Sequence, residues 1–338
     1  MILYFGNKLS VHGFTPTMIE LLLPDFEKRY TIISASSKLN PILRLFDMLW
    51  VFFKNIHSTK LILIDTYSTN AFYYTFLLAI ISTLFSKPYC PILHGGDLPN
   101  RLASSPRLSR FTFGQSFINI SPSVYLKQIF EQEGFRIRHI PNFIEISNYP
   151  MTIRKEFRPR LLWVRAFHKI YNPLLAIYVL EKLLVKWNDT KLCMVGPDKD
   201  DSLNSVKQLA DQLGVRDHLS IRGKLEKKEW IKLSEEYDIF INTSNFDNLP
   251  VSLMEAMALG LPIITTNVGG IPFLINHKST GILVKPNDPN EFVVAVNDLI
   301  TGENNGLNLA ANARNEVFNY DKSKVITQWF EFINNAIK

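Results

Sequence analysis

The stretch Asp247–Pro272, DNLPVSLMEAMALGLPIITTNVGGIP, sets Asp247 eight positions before Glu255 and ends in a Gly-Gly turn. Upstream, YDIFINTS (Tyr237–Ser244) is a short apolar run of the kind that forms a buried strand. PVSLMEAMALG then reads as a helix, with Pro250 near its first position and Gly260 just past its end. A strand thus delivers Asp247 to a helix N-terminus. The backbone N–H groups of Val251 and Ser252 lack intrahelical acceptors there and carry the positive end of the helix dipole, which suits a phosphate. Glu255, on the same helix, is placed to accept hydrogen bonds from ribose hydroxyls. Asp247, on the loop, is placed to reach the hydroxyls of a sugar beyond the phosphates. The pattern fits an extended nucleotide diphosphate sugar.

Outward from that stretch the chain keeps one rhythm. MILYFG, TIISAS, KLILID, YCPILH and FINIS read as strands separated by segments long enough for helices, and RLLWVRA, KLCMVG, LSIRG, DIFINTS and PIITT repeat the plan. At 338 residues and 46% hydrophobic content the chain exceeds one ordinary domain, so two Rossmann-like α/β domains are expected. Their boundary falls near Asn148 to Arg160, where YPMTIRKEFRPR carries two prolines and no sustained periodicity. The divisions are 1–148, 149–320 and a last segment, 321–338, in which Val325, Ile326, Trp329, Phe330 and Ile333 recur at helical spacing. No GxGxxG follows any strand, which argues against a dinucleotide oxidoreductase.

Other candidate groups sit at strand exits. RLLWVRA runs into FHKIYNP, so Arg165 and Lys169 can both face a pyrophosphate, with His168 as an alternative cation. PILHGGDLP puts His94 directly after a strand, with Gly95 and Gly96 allowing close backbone approach and Asp97 beside them. The acidic run Asp198 to Asp201 has the look of a DxD metal motif, but its polar loop setting favours a solvated turn, and no metal site is assigned.

The DNLPVSLMEAMALGLP segment resembles the donor motif of family 4 retaining glycosyltransferases, E-x7-E followed by an E-A-M-A-x-G-x-P helix. Asp247 stands where the first Glu is usual, Asn248-Leu249-Pro250 replaces Gly-Leu-Pro, and Glu255-Ala-Met-Ala-Leu-Gly-Leu-Pro matches. The resemblance implies a GT-B fold, two Rossmann-like domains facing a cleft, with the C-terminal helix packing back across the hinge. It extends to the Gly13 loop SVHGFTP, to His94-Gly95, to Val195-Gly196 with Asp198 in place of a second Gly, to Arg222-Gly223, and to IPNFIEISNY, where Phe143 replaces a glycine. Val164 replaces the glycine of the family's Gly-Arg pair, and Lys169 follows Arg165 by four positions instead of five.

In functional terms the resemblance implies transfer of a sugar, with retention, from a UDP- or GDP-type donor to a glycan or lipid-linked acceptor in surface polysaccharide synthesis. Catalysis falls to His94, Asp97, Arg165, Lys169 and Asp247. Donor contacts fall to Gly13, Gly196, Arg222, Gly223, Asn248, Leu249, Val251, Ser252 and Glu255. No cofactor beyond the donor substrate is implied. A nucleotide-sugar epimerase and a non-catalytic sugar-nucleotide-binding protein remain alternatives.

Charge and hydropathy bear on partners. Residues 1–150 hold 14 Lys and Arg against 9 Asp and Glu, and the remainder 23 against 22, so the basic excess lies in the first half. No basic run interleaved with aromatics and no zinc spacing supports nucleic-acid binding. Residues 66–86, TYSTNAFYYTFLLAIISTLFS, contain no charge and approach a membrane span in length, yet their polar start after a strand fits a buried helix. PILRLFDMLWVFFKNI (41–56) is also rich in large apolar groups, so peripheral membrane contact by the first domain is an open expectation. MILYFGNKLSVHG lacks the charged region and long apolar core of a secretory signal, and the two cysteines lie in apolar strand-like runs. The expected location is cytoplasmic, with the inner face of the membrane as the place of work.

Overall fold

The computed structural model describes residues 1–303 and 305–337. It divides into two compact units, Met1–Asn142 with Ser323–Lys338, and Phe143–Lys322. Both are doubly wound α/β units.

In the first unit the elements run β1 (Ile2–Phe5), α1 (Met18–Phe26), β2 (Ile32–Ala35), α2 (Pro41–Asn55), β3 (Leu61–Thr66), α3 (Phe72–Leu84), β4 (Tyr89–Leu93), α4 (Leu98–Ser104), α5 (Pro106–Gly114), β5 (Asn119–Ser121), α6 (Val124–Gln132) and β6 (Ile137–His139). The strands form one parallel sheet in the order β2-β1-β3-β4-β5-β6. Every residue of β1, β3 and β4 is buried, as expected for strands covered on both faces, which is why they read as continuous apolar runs. Leu3, Phe5, Ile62 and Ile64 pack with Met48 and Phe52 of α2 and Leu78 and Ala79 of α3. Tyr4, with the opposite strand parity, stacks on Phe26 of α1.

Two helices of this unit decide the membrane expectations. The uncharged stretch 66–86 becomes a strand end, a loop and α3, whose Phe72, Thr75, Leu78, Ala79 and Ser82 are buried while Tyr73 and Leu84 are exposed. Among the described residues no helix is long and apolar enough to cross a membrane. Helix α2 buries Met48, Val51 and Phe52 but leaves Ile42, Leu43, Phe46, Trp50 and Phe53 about half exposed or more, at 65%, 57%, 63%, 60% and 49%.

The second unit continues with β7 (Arg160–Val164), α7 (Pro173–Leu184), β8 (Lys191–Val195), α8 (Ser202–Gln212), β9 (Leu219–Ile221), α9 (Lys227–Leu233), β10 (Ile239–Asn242), α10 (Val251–Ala258), β11 (Ile263–Thr266), β12 (Ile282–Val284), α11 (Pro289–Thr301) and α12 (Gly306–Val317). Its parallel sheet has the order β12-β11-β10-β7-β8-β9, so the chain winds outward from β7, then restarts beside β7 at β10. Leu161 and Trp163 of β7 enter a core with α7, α8 and α11. Leu162, one residue out of phase, enters a second core with α10 and α12.

The last helix, α13 (Lys322–Ala336), buries Val325, Ile326, Trp329, Phe332 and Ile333. Trp329 meets Phe26 edge-on at 5.7 Å, Arg29 lies 4.8 Å over the Phe330 ring, and the Tyr30 hydroxyl donates to Asn334 Oδ1 at 2.9 Å. These contacts place residues after 322 in the first unit. Strands β6 and β12, which the sequence rhythm does not announce, are three-residue edge strands, and β6 (Ile-Arg-His) is only partly buried.

Candidate functional site

In a doubly wound sheet, ligands bind beyond the strand carboxyl ends where the winding reverses. In the second unit that point lies between β7 and β10. Arg165 leaves β7 there, and Asp247 lies on the loop between β10 and α10. The two side chains form an ion pair, Arg165 Nη2 to Asp247 Oδ2, with only 16% and 11% of their side-chain surface exposed. The guanidinium also stacks 4.4 Å over the Tyr171 ring. Burial pushes the Arg165 pKa down, while Tyr171 and then Glu255 push it back up, so the charge of Glu255 acts on Arg165. Arg165 and Asp247 thus lie in one region.

Backbone geometry fixes that region. Gly269 has φ +52°, and a Cβ on it would run into the Asp247 carbonyl; one on Gly270 would fall on the Asn248 carbonyl. The Gly270 N–H donates to the Asp247 carbonyl at 2.8 Å, so the Gly-Gly turn holds Asp247 by its backbone. Asp247 Oδ1 accepts from the Asn248 N–H at 2.9 Å. Gly196, at the end of β8, packs so tightly on the Arg165 carbonyl that a Cβ there has no room, and its N–H donates to the Gly223 carbonyl at 2.7 Å. Gly196 and Gly223 shape the strand exits without offering a side chain.

Helix α10 starts after Pro250, which occupies the cap position with extended backbone, not the first turn. Its residues from Ser252 to Ala258 are all buried, because the helix lies in the second core against α12. The Val251 and Ser252 amides precede any possible i−4 acceptor within the helix. Ser252 Oγ and Arg165 Nε are buried donors with no hydrogen-bond partner. Leu249 packs at the edge of that core. Glu255 is 6% exposed and its Oε1 accepts from the Tyr149 hydroxyl at 2.6 Å and from Lys227 Nζ at 3.0 Å. Burial, then the Glu255 charge, hold the Tyr149 pKa far above its ordinary value, so the phenol remains a donor.

Sequence reasoning did not find Tyr149 and Lys227. Tyr149 lies 106 positions from Glu255, and Lys227 belongs to an ordinary surface run, KLEKKEW. Nothing local marks either.

Lys169 is exposed at the start of a short turn, and its N–H donates to Asp200 Oδ2 at 3.0 Å. His168 caps that turn by accepting from the Ile170 N–H through Nδ1. Asp200 also accepts from the Ser202 hydroxyl, and the hydrogen bonds from Lys169 and Ser202 pull its pKa below the ordinary value. The acidic run thus ties the loop after β8 to the loop after β7. Among the described residues no cluster of three or more His, Cys, Asp or Glu is arranged to hold a metal ion. The Arg222 side chain acts on Cys193 and Tyr237 and lines a groove with Arg160, Lys191 and Glu236.

In the first unit, His94 follows β4. Its N–H donates to the Thr66 carbonyl at 2.9 Å, and its Nε2 pairs with Asp65 Oδ1 at 2.9 Å. A Cβ on Gly95 would crowd the Ser68 amide, so the glycine permits the loops after β3 and β4 to touch. Asp97 is exposed at the start of α4, where it accepts from Asn100 and its charge reaches Tyr125. Gly13 has φ +83° and closes a turn on the Ser10 carbonyl, with open space where a Cβ would lie.

Two doubly wound parallel sheets, the second with charged groups and a helix N-terminus at its switch point, define an α/β protein of the GT-B fold. Anabaena HepE in complex with UDP superposes with a TM-score of 0.80 over 99% of each chain at 18% identity. Residues 152–316, within the second unit, match the family described as Glycosyl transferases group 1. N-acetyl-alpha-D-glucosaminyl L-malate synthase of Bacillus anthracis is 28% identical over 257 residues, covering 71% of this chain and 66% of that protein. UDP-Gal:alpha-D-GlcNAc-diphosphoundecaprenol alpha-1,3-galactosyltransferase of Escherichia coli is 22% identical over 218 residues, 60% of this chain and 54% of that protein. The chain spans between about a half and two thirds of the length of these two relatives.

Proposed function

We propose that the protein is a retaining glycosyltransferase of the family 4 type, moving a sugar from a nucleotide diphosphate sugar to a glycan or lipid-linked acceptor. The observation that carries this is the set of donors at the β7/β10 switch point: the Arg165 guanidinium, the Ser252 hydroxyl and the first amides of α10. Such a set neutralises a departing diphosphate by fixed charge and dipoles, which need no reorganisation as the bond breaks. Lys169 adds a mobile cation from the neighbouring turn, and the reading requires no cofactor. Glu255 would take the ribose hydroxyls and Asp247 those of the sugar. Retention follows in this reading from attack on the donor face that the diphosphate leaves, with a phosphate oxygen accepting the acceptor's proton.

The UDP complex of HepE makes uridine the first base to try, and the E. coli relative makes a polyprenyl diphosphate sugar a reasonable acceptor. The apolar stripe of α2 and the basic excess of the first half support contact with an anionic membrane carrying that acceptor. A thermal-shift panel of nucleotide diphosphates and their sugars tests the donor assignment, because a ligand that binds only the folded chain raises its apparent stability. Wild type should respond to one nucleotide series and Glu255→Ala should lose the response. A response unchanged in Glu255→Ala, or none to any nucleotide, removes the reading.

A further inference from the structure

The first unit has its own reversal of winding, between β1 and β3, and a buried carboxylate lies there. Asp65, near the end of β3, has a side chain with no exposed surface. Its Oδ1 accepts from the Tyr4 hydroxyl of β1 at 3.0 Å and pairs with His94 Nε2 at 2.9 Å. Its Oδ2 has no hydrogen-bond partner and lies so near Gly6 that a Cβ on that residue would collide with it. Burying a carboxylate this deeply costs several kcal/mol before its partners compensate. An apolar side chain would serve a central strand better. The acid therefore reads as retained for what it does to His94.

Its effect on the ring is specific. The His94 backbone is held by Thr66, the ring lies 5.6 Å from that of Tyr67, and the Tyr4 phenol stays protonated because burial and the Asp65 charge push its pKa well up. Oδ1 is thus fixed from two sides. A ring nitrogen hydrogen-bonded to a carboxylate carries the proton, which leaves the other nitrogen of a neutral imidazole as a lone-pair acceptor.

We propose that Asp65 is a positioning residue for His94, holding the ring through Nε2–H so that Nδ1 accepts a hydrogen bond from a substrate hydroxyl. This rests on the glycosyltransferase reading, but part of its test does not. Nitrogen-15 NMR of the His94 ring, assigned with His94→Gln, should show the Nε2–H tautomer in wild type and a mixture in Asp65→Ala. In turnover, Asp65→Ala should lower kcat by roughly 100-fold, the scale of a misplaced reacting group, with donor KM changed less than about twofold. Asp65→Asn, which keeps an oxygen for both donors, should recover most of the loss. Asp65→Leu, which fills the volume, should show the same loss of roughly 100-fold in kcat and replaces Asp65→Ala if the smaller variant folds poorly. Asp65→Ala should cost nothing further in a His94→Ala background. An Nδ1–H tautomer in wild type, or an equal kcat loss in both backgrounds, overturns the assignment. Absence of turnover with every donor would instead sink the glycosyltransferase reading, and the NMR result would still decide the role of Asp65.

Discussion

Asp247→Asn tests the second unit's site through the sign of its effect. Arg165 and Asp247 pair with 16% and 11% of their side chains exposed, so a diphosphate that binds Arg165 must share it with that carboxylate. Two unit charges about 4 Å apart attract by roughly 4 kcal/mol at an effective dielectric near 20. Most of this offsets the cost of desolvating the pair, leaving a competition on the order of 1 kcal/mol. Removing the charge while keeping an oxygen for the Asn248 N–H should therefore tighten binding of UDP itself by roughly fivefold. The preference for UDP-sugar over UDP should narrow, because the neutral amide of the variant would hold the sugar hydroxyls less strongly than a carboxylate. Arg165→Ala should weaken UDP by about 10- to 150-fold, the equivalent of ~1.5–3 kcal/mol for hydrogen bonds to a charged group. Adding Asp247→Asn to Arg165→Ala should change little more. Isothermal titration calorimetry of the four proteins at fixed ionic strength reads every term. A UDP affinity that is unchanged or weaker in Asp247→Asn refutes the competition.

Other outcomes follow from the same contacts. Gly270→Ala should destabilise the second unit by more than about 2 kcal/mol in urea unfolding, since its Cβ falls on the Asn248 carbonyl and the loop must shift; a loss below about 0.5 kcal/mol would show that the turn yields easily. Tyr149→Phe should cost about 1–2 kcal/mol of stability by removing a donor from buried Glu255, also read by urea unfolding. Burial pushes the His139 pKa below its ordinary 6.5, with the nearby Lys127 charge adding to it and a backbone hydrogen bond at Pro122 opposing. Below pH 6.5 the unfolded chain takes up a proton that the folded chain resists, so this contribution is full above 6.5 and lost as pH falls through the folded pKa. The Tm difference between wild type and His139→Gln should therefore move against wild type on going from neutral pH to about pH 5, and a constant difference would contradict it. Phe46→Glu with Trp50→Glu should abolish pelleting with anionic liposomes at low salt without lowering Tm, because both side chains already face solvent at 63% and 60% exposure. Wild-type protein that fails to pellet would discard the membrane contact.

Much of the fold is local and so lies open in the sequence. Apolar runs such as Leu61–Ile64 read as strands covered on both faces, and the spacing of Val325, Ile326, Trp329 and Ile333 defines one face of a helix. The residues from Asp247 to Gly270 likewise sit together, because strand, loop, helix and Gly-Gly turn follow one another along the chain. The edge strands β6 and β12 escaped, since three residues such as Ile137–His139 carry no period and half-exposed edges tolerate charge.

What joins distant positions was settled only by tertiary packing. Arg165 meets Asp247 because β7 and β10 are neighbours, Tyr149 reaches Glu255 across 106 positions, and Tyr4, Asp65 and His94 converge from three adjacent strands. Arg222 acts on Cys193 and Tyr237, neighbours that only strand pairing supplies, because side-chain direction at a strand end depends on pleat and register. Periodicity and motif are properties of neighbours in the chain. Partners across a parallel sheet are chosen by the winding of the whole unit, and no single stretch of sequence contains that information.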